Sequence, residues 1–165
     1  MALTAETDME LKTIVLGVGN TLLSDEGIGV HVVEQLRRTH PNLEAVEFVD
    51  GGTLSFTLAG PLAEADHLII IDAAELKAAP GSVTLFENEA MDHYLSSGKR
   101  RSVHEVSLVD LLAIAHLTDS LPARRALIGI QPQTVEWGEA PSAEVAKAIP
   151  IACGMFIELL RKWQQ

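Results

Sequence analysis

The stretch "IVLGVGNTLLSDEGIGVHVVEQL", residues 14–36, decides the fold class. "TIVLGVG" is a β-branched, apolar run ending in glycine, as expected of a strand covered on both faces. Beyond the loop, Ile28, Val32, Val33 and Leu36 share one helical face, and "HPN" at 40–42 ends the helix. A glycine turn between strand and helix usually cradles a phosphate, yet this one carries Asp25 and Glu26. The dinucleotide fingerprint is G-x-G-x-x-G; Gly17 and Gly19 fit it, but the third position is Leu22, and Gly27 and Gly29 lie beyond the acidic pair. A pyrophosphate facing Asp25 and Glu26 would be repelled. No Walker lysine follows, so no nucleotide partner is expected.

Strands alternate with helices along the rest of the chain. "LEAVEFVD" reads as a second strand stopped by Gly51 and Gly52, and "LSFTLAGPLAEA" as a weak helix interrupted by Pro61. "HLIIIDAA" is the clearest strand, because Leu68 to Ile71 are all apolar. "SVTLFE" is another strand, and residues 89–101 read as a polar, partly looped segment. Ser102 with Glu105 matches a capping box for a helix whose apolar face continues through Leu108, Leu111, Leu112 and Ala115. "RALIGIQP" is a fifth strand, stopped by Pro132. Residues 132–141 form a loop, and "SAEVAKAIPIACGMFIELLRKW" is a long helix that Pro150 should kink. Its last turns pack Phe156, Leu159, Leu160 and Trp163 on the sheet. The expected architecture is a three-layer α/β/α sandwich around a mostly parallel, five-stranded twisted sheet.

At 165 residues the chain is expected to form a single domain over 1–165, with 1–12 a ragged terminus. The net charge of −11 argues against nucleic acid or an anionic membrane and suits a cationic partner or a metal ion. One cysteine, Cys153, excludes an intrachain disulfide and a thiolate cluster, and its apolar helical context reads as core. "MALTAETDME" has no signal-peptide pattern, and no apolar run approaches a membrane span, so the expected location is the cytoplasm.

In open parallel sheets, sites form outside the carboxyl ends of the strands. Asp25 and Glu26 follow the first strand, Asp50 ends the second and Asp72 ends "LIIID", so three acidic sites reach one edge of the sheet. A carboxylate closing an apolar strand is costly to bury without compensation. Asp72 could cap the next segment through backbone N–H groups, or it could face a metal. His31, expected on the exposed side of the first helix, and His40, His67, His93 and His116 read as structural or exposed. His104 differs, because the positive end of its helix favours a neutral, metal-ready imidazole. Carboxylates with one imidazole suit a divalent first-row ion such as nickel or zinc. Neither H-E-x-x-H nor G-x-S-x-G is present.

"LGVGNTLLSDEGIGVHVVEQL", "DGGT" at 50–53, "LIIIDA" at 68–73, "SVHEVSL" at 102–108 and "GIQP" at 129–132 occur in this order. Over residues 13–133 the chain resembles the nickel–iron hydrogenase maturation endopeptidases. The resemblance implies a sheet between helical layers and removal of a short C-terminal extension from a hydrogenase large-subunit precursor after nickel insertion. It places metal ligands on Glu26, Asp72 and His104, with Glu26 and Asp72 also the catalytic carboxylates. The metal it implies is the precursor's own nickel; zinc or cadmium could occupy the same site. Asp50, Gly51, Gly52 and Thr53 match a second motif, read either as substrate contact or as a strand-ending turn with Thr53 capping the next helix. A metal could activate the attacking water, or a carboxylate could act as general base. The alternative role is a non-enzymatic nickel-binding assembly factor. Partner choice is expected in 88–101 and 134–141, with Trp137 either an exposed contact or packed on the surface.

Overall fold

The computed structural model describes residues 10–52, 56–97 and 103–165; Phe56 and residues 103–107 are described by their backbone alone. The elements run β1 (Thr13–Val18), α1 (Ile28–Thr39), β2 (Val46–Gly52), α2 (Ala59–Ala63), β3 (His67–Ala73), β4 (Val83–Glu87), α3 (Glu89–Ser96), α4 (Val103–Leu117), β5 (Arg124–Ile130), α5 (Ala143–Ala146) and α6 (Ala148–Trp163). The five strands form one sheet in the order β2-β1-β3-β5-β4, parallel except for β4, which pairs antiparallel with β5. β1 and β3 are buried along their whole length, which explains why they read as unbroken apolar runs rather than alternating ones.

Side-chain parity divides the core into two layers. Val15, Ile69, Ile71, Ala126 and Ile128 face α1 and the C-terminal helix, where Val32, Val33, Phe156, Leu160 and Trp163 cover them. Ile14, Leu16, Leu68, Ile70 and Leu127 face the opposite way, against Leu62, Met91, Leu95, Leu108 and Leu111 of α2, α3 and α4. This is the expected α/β/α sandwich. No helix among the described residues is long and apolar enough to cross a membrane.

Four local expectations need correction. The C-terminal segment is not one kinked helix: α5 stops at Ala146 and α6 begins at Ala148, with Pro150 in its first turn. Pro150 has no N–H to offer the Ala146 carbonyl four residues back, so the break falls ahead of the proline. The polar segment after β4 is helical from Glu89 to Ser96, because Met91 and Leu95 fall one turn apart and both are buried. β2 ends at Gly52, two residues beyond Asp50, since β1 still offers Val18 as a partner to Gly52. His31 is half-buried rather than on an open helix face, as described below. The Ser102 cap lies outside the described residues.

The chain runs outward from β1 to β2 and then returns across β1 to β3, so its direction reverses between β1 and β3. Such a reversal sends the two following connections to opposite sides and opens a crevice beyond the strands' carboxyl ends.

Candidate active site

Asp72 stands at that crevice. It is the sixth residue of β3, pairs in register with Gly129 of β5, and exposes 0% of its surface. Parity with Leu68 and Ile70 puts it on the α4 side of the sheet. α4 connects to the start of β5 by a short link and is about as long as that strand: fifteen residues at about 1.5 Å against seven at about 3.3 Å. Its first turn, which carries His104, is therefore level with the carboxyl ends of β3 and β5. The imidazole of His104 lies outside the described side chains.

Glu26 comes from the other side of the crevice. Ser24–Gly27 forms a single 3-10 turn that packs against β3, and Glu26 is half-buried within it. Two glycines let this turn approach the strand edge. Gly19 has φ +131°, and a Cβ there would sit 1.8 Å from the Glu26 carbonyl oxygen. A Cβ on Gly29 would sit 2.0 Å from the carbonyl oxygen of Ile71, the residue before Asp72. The glycines of the opening motif thus serve backbone-to-backbone contact, and no phosphate is needed to account for them.

Asp25 is not a second ligand. It is completely buried, and its carboxylate accepts the N–H groups of Gln133 (2.9 Å), Thr134 (2.9 Å) and Ser142 (2.6 Å) together with the Ser142 hydroxyl (2.8 Å). Burial pushes this carboxyl up, but the backbone donors outweigh burial and hold it below the ordinary carboxylate value. Half of the acidic pair therefore answers to backbone N–H groups rather than to a cation. Nothing local predicts this, because the donors lie more than one hundred residues away.

The remaining acid of this edge is Asp50, aligned with Gly17 on the far side of β1 from Ile71. At about 4.8 Å per strand, the Asp50 and Ile71 backbones stand about 10 Å apart. The exposed Asp50 carboxylate accepts the Gly52 N–H at 2.8 Å, and Gly52 has φ +46°. This is the strand-ending turn that "DGGT" permits. Thr53 lies outside the described residues.

Gln131, within the "GIQP" stretch, is a support that reading by motif passed over. It is buried; its Oε1 accepts the Leu76 N–H at 2.7 Å and its Nε2 donates to Glu75 Oε2 at 3.2 Å. With the Ala74 N–H donating to the Ile130 carbonyl, it fixes the loop that leaves Asp72. The only signal in the sequence is an amide placed directly after a buried strand.

Among the described residues, no three His, Cys, Asp or Glu side chains are grouped to hold a metal ion. Two of the three expected ligands, Glu26 and Asp72, have described side chains, and the Glu26 turn packs against the strand that Asp72 closes. The other histidines do not join them. His31 is half-buried, its Nε2 is enclosed with no hydrogen-bond partner among the described residues, and burial lowers its pKa. His67 is buried at the start of β3, its ring 5.2 Å from that of Trp163. Cys153 is half-buried, and burial pushes its thiol up, away from nucleophile chemistry.

The model of the hydrogenase maturation protease family matches residues 30–159. The chain is 35% identical over 153 residues to the hydrogenase expression/formation protein HupD of Rhodobacter capsulatus, covering 92% of this chain and 72% of that one. It is 38% identical over 127 residues to the hydrogenase 2 maturation protease of Escherichia coli, covering 76% of each. The solved structure of the hydrogenase maturating endopeptidase HybD from E. coli superposes with a TM-score of 0.86 at 35% identity, over 92% of this chain and 93% of that one. The nickel–iron hydrogenase maturation protease HybD from Thermococcus kodakarensis superposes with a TM-score of 0.76 at 27% identity, over 90% and 99%.

Proposed function

The chain belongs to the hydrogenase maturation protease family, and from that premise we propose that it removes the C-terminal extension of a nickel–iron hydrogenase large-subunit precursor after nickel insertion. The observation that carries the reading is Asp72: a fully buried carboxylate closing a central strand, at the crevice that the Glu26 turn and the first turn of α4 also reach.

In this reading the precursor's nickel is part of the substrate. Glu26, Asp72 and His104 complete its coordination, and the scissile peptide is thereby brought to the carboxyl edge of the sheet. Two carboxylates and an imidazole match the donor preferences of a divalent first-row ion, and zinc or cadmium would fit the same set. Such an ion, when bound, supplies Lewis acidity and a more acidic water. Asp72, shut off from bulk water, serves as the fixed ligand. Glu26 is half-buried and has the access to solvent that a proton acceptor for an attacking water needs. Asp50, Gly51 and Gly52 close β2 at the same edge, and with Thr53 they would contact the substrate chain beyond the scissile bond. The acidic chain acts in the cytoplasm, on a precursor that carries its metal already.

A mass-spectrometric cleavage assay with purified protein and nickel-loaded precursor tests the reading. Loss of the tail mass is expected with the natural chain and not with Asp72→Ala. An intact precursor after prolonged incubation with the natural chain would refute it.

A further inference from the structure

Next to the Glu26 turn, two loops are fastened into a short ribbon. Leu23 bridges Gly138 in parallel; the Gly138 N–H donates to the Leu22 carbonyl at 2.9 Å, and the Ser24 N–H donates to the Gly138 carbonyl at 2.9 Å. The Ser24 hydroxyl donates to the Glu136 carbonyl at 2.7 Å, and Asp25 secures Gln133 and Thr134 from below. Despite this bracing, the ribbon leaves Leu22, Val135 and Trp137 exposed by 50%, 56% and 82%. Tryptophan held out on a braced loop gains nothing for the monomer. It is also the side chain most enriched among interface hot spots, and a pre-ordered loop lowers the entropic cost of docking.

Charge narrows the occupant. Neither 13–36 nor 126–146 contains a lysine or arginine, while Glu136 and Glu139 stand exposed on either side of Trp137. The ledge is continuous with the site, because Leu22 lies four residues before Glu26 in one braced turn. We infer that Leu22, Val135 and Trp137 form the docking ledge for an apolar segment of the hydrogenase large-subunit precursor flanked by lysine or arginine. This inference rests on the proposed peptidase role. The apolar side chains of the segment cover Trp137, and its cations meet Glu136 and Glu139.

The test separates docking from cleavage. Affinity for nickel-loaded precursor is measured with Asp72→Ala, so that nothing is consumed, and again with Trp137→Ala added. The dissociation constant is expected to rise roughly tenfold or more, the hot-spot scale. It should rise further in high salt. In the active chain, Trp137→Ala should raise KM by a similar factor and leave kcat within about twofold, with an unchanged melting temperature confirming the fold. Equal affinity with and without Trp137 overturns the ledge even if cleavage is efficient. Trp137-dependent binding without any cleavage by the natural chain upholds the ledge and refutes the peptidase role. A dimer that Trp137→Ala dissociates, with precursor affinity unaltered, assigns the ledge to a second copy and overturns the inference.

Discussion

The Asp25 carboxylate accepts the Ser142 N–H at 2.6 Å and its hydroxyl at 2.8 Å, joining residues 117 positions apart. The bond crosses the carboxyl edge of the sheet, from the turn that carries Glu26 to the start of α5. Gln133 and Thr134 add their N–H groups to the same carboxylate. The loop after β5 is thus held against the loop after β1 by one buried charge, and the Glu26 turn lies between that clamp and β3.

Asp25→Ala would leave three backbone N–H groups and a hydroxyl without their acceptor, and should lower stability by about 3 kcal/mol in urea unfolding. The pH dependence has a definite sign. The folded-state pKa is lowered, so the stabilisation is complete above the unfolded carboxylate pKa of about 3.9 and is lost as pH falls through the folded value. Asp25→Asn should flatten the acid limb of the stability curve, and an unchanged acid limb would contradict the clamp.

Gly19→Ala and Gly29→Ala should each cost roughly 2–4 kcal/mol, because the new methyl would overlap the carbonyl of Glu26 or of Ile71 and backbone must yield. The damage falls on the two elements that bring Glu26 towards Asp72, so processing should fall more than the loss of folded protein explains. Gly154→Ala is the contrast. Its Cβ would meet nothing within 4 Å in the middle of α6, and it should add about 0.5–1 kcal/mol through helix propensity. Thermal unfolding of the three variants checks both directions.

The sheet was legible because burial on both faces leaves a direct mark: β1 and β3 are written as apolar runs, and Asp72 stands out where such a run closes. One core layer followed from helical periodicity in α1 and α6, and the other from Leu108, Leu111 and Leu112 of α4. Asp25 was not legible in the same way. Side by side in the sequence, Asp25 and Glu26 look equivalent, and what separates them is a loop more than one hundred residues away. Trp137 was marked by residue type alone, and only the bridge to Leu23 placed it beside the Glu26 turn. The half-buried setting of His31 escaped periodicity because that residue flanks the apolar stripe of α1 rather than lying opposite it.

Mild acid should weaken the fold through His67 and His31. Burial first, and then the positive charge of Arg124, lower the pKa of His67, and burial lowers that of His31. For a histidine with a lowered folded-state pKa, stability is complete above the unfolded value of about 6.5 and declines as pH falls from there towards the folded value. His67→Phe keeps an aromatic ring against Trp163 and removes the titration. Between pH 7.5 and 5.5 its urea midpoint should therefore drop less than that of the natural chain.

The strictest demand falls on Glu26, Asp72 and His104. If they complete the coordination of the precursor's nickel, alanine at any one should reduce processing by at least about a hundredfold, the scale for losing a catalytic acid–base or electrostatic group. Asp72→Asn preserves the shape of the buried strand end while removing its charge, so it separates loss of chemistry from loss of fold. Circular dichroism should show that fold retained, and Glu26→Gln should behave likewise. The three positions must also fail together: because they would serve one ion, the double variant Glu26→Gln/Asp72→Asn should be hardly worse than either single variant. A precursor lacking nickel should resist the natural chain to a similar degree, since its ligands would then have nothing to bind. Efficient cleavage of a nickel-free precursor would leave these side chains without a recognition role, and independent, multiplicative losses would show that they do not act on one ion.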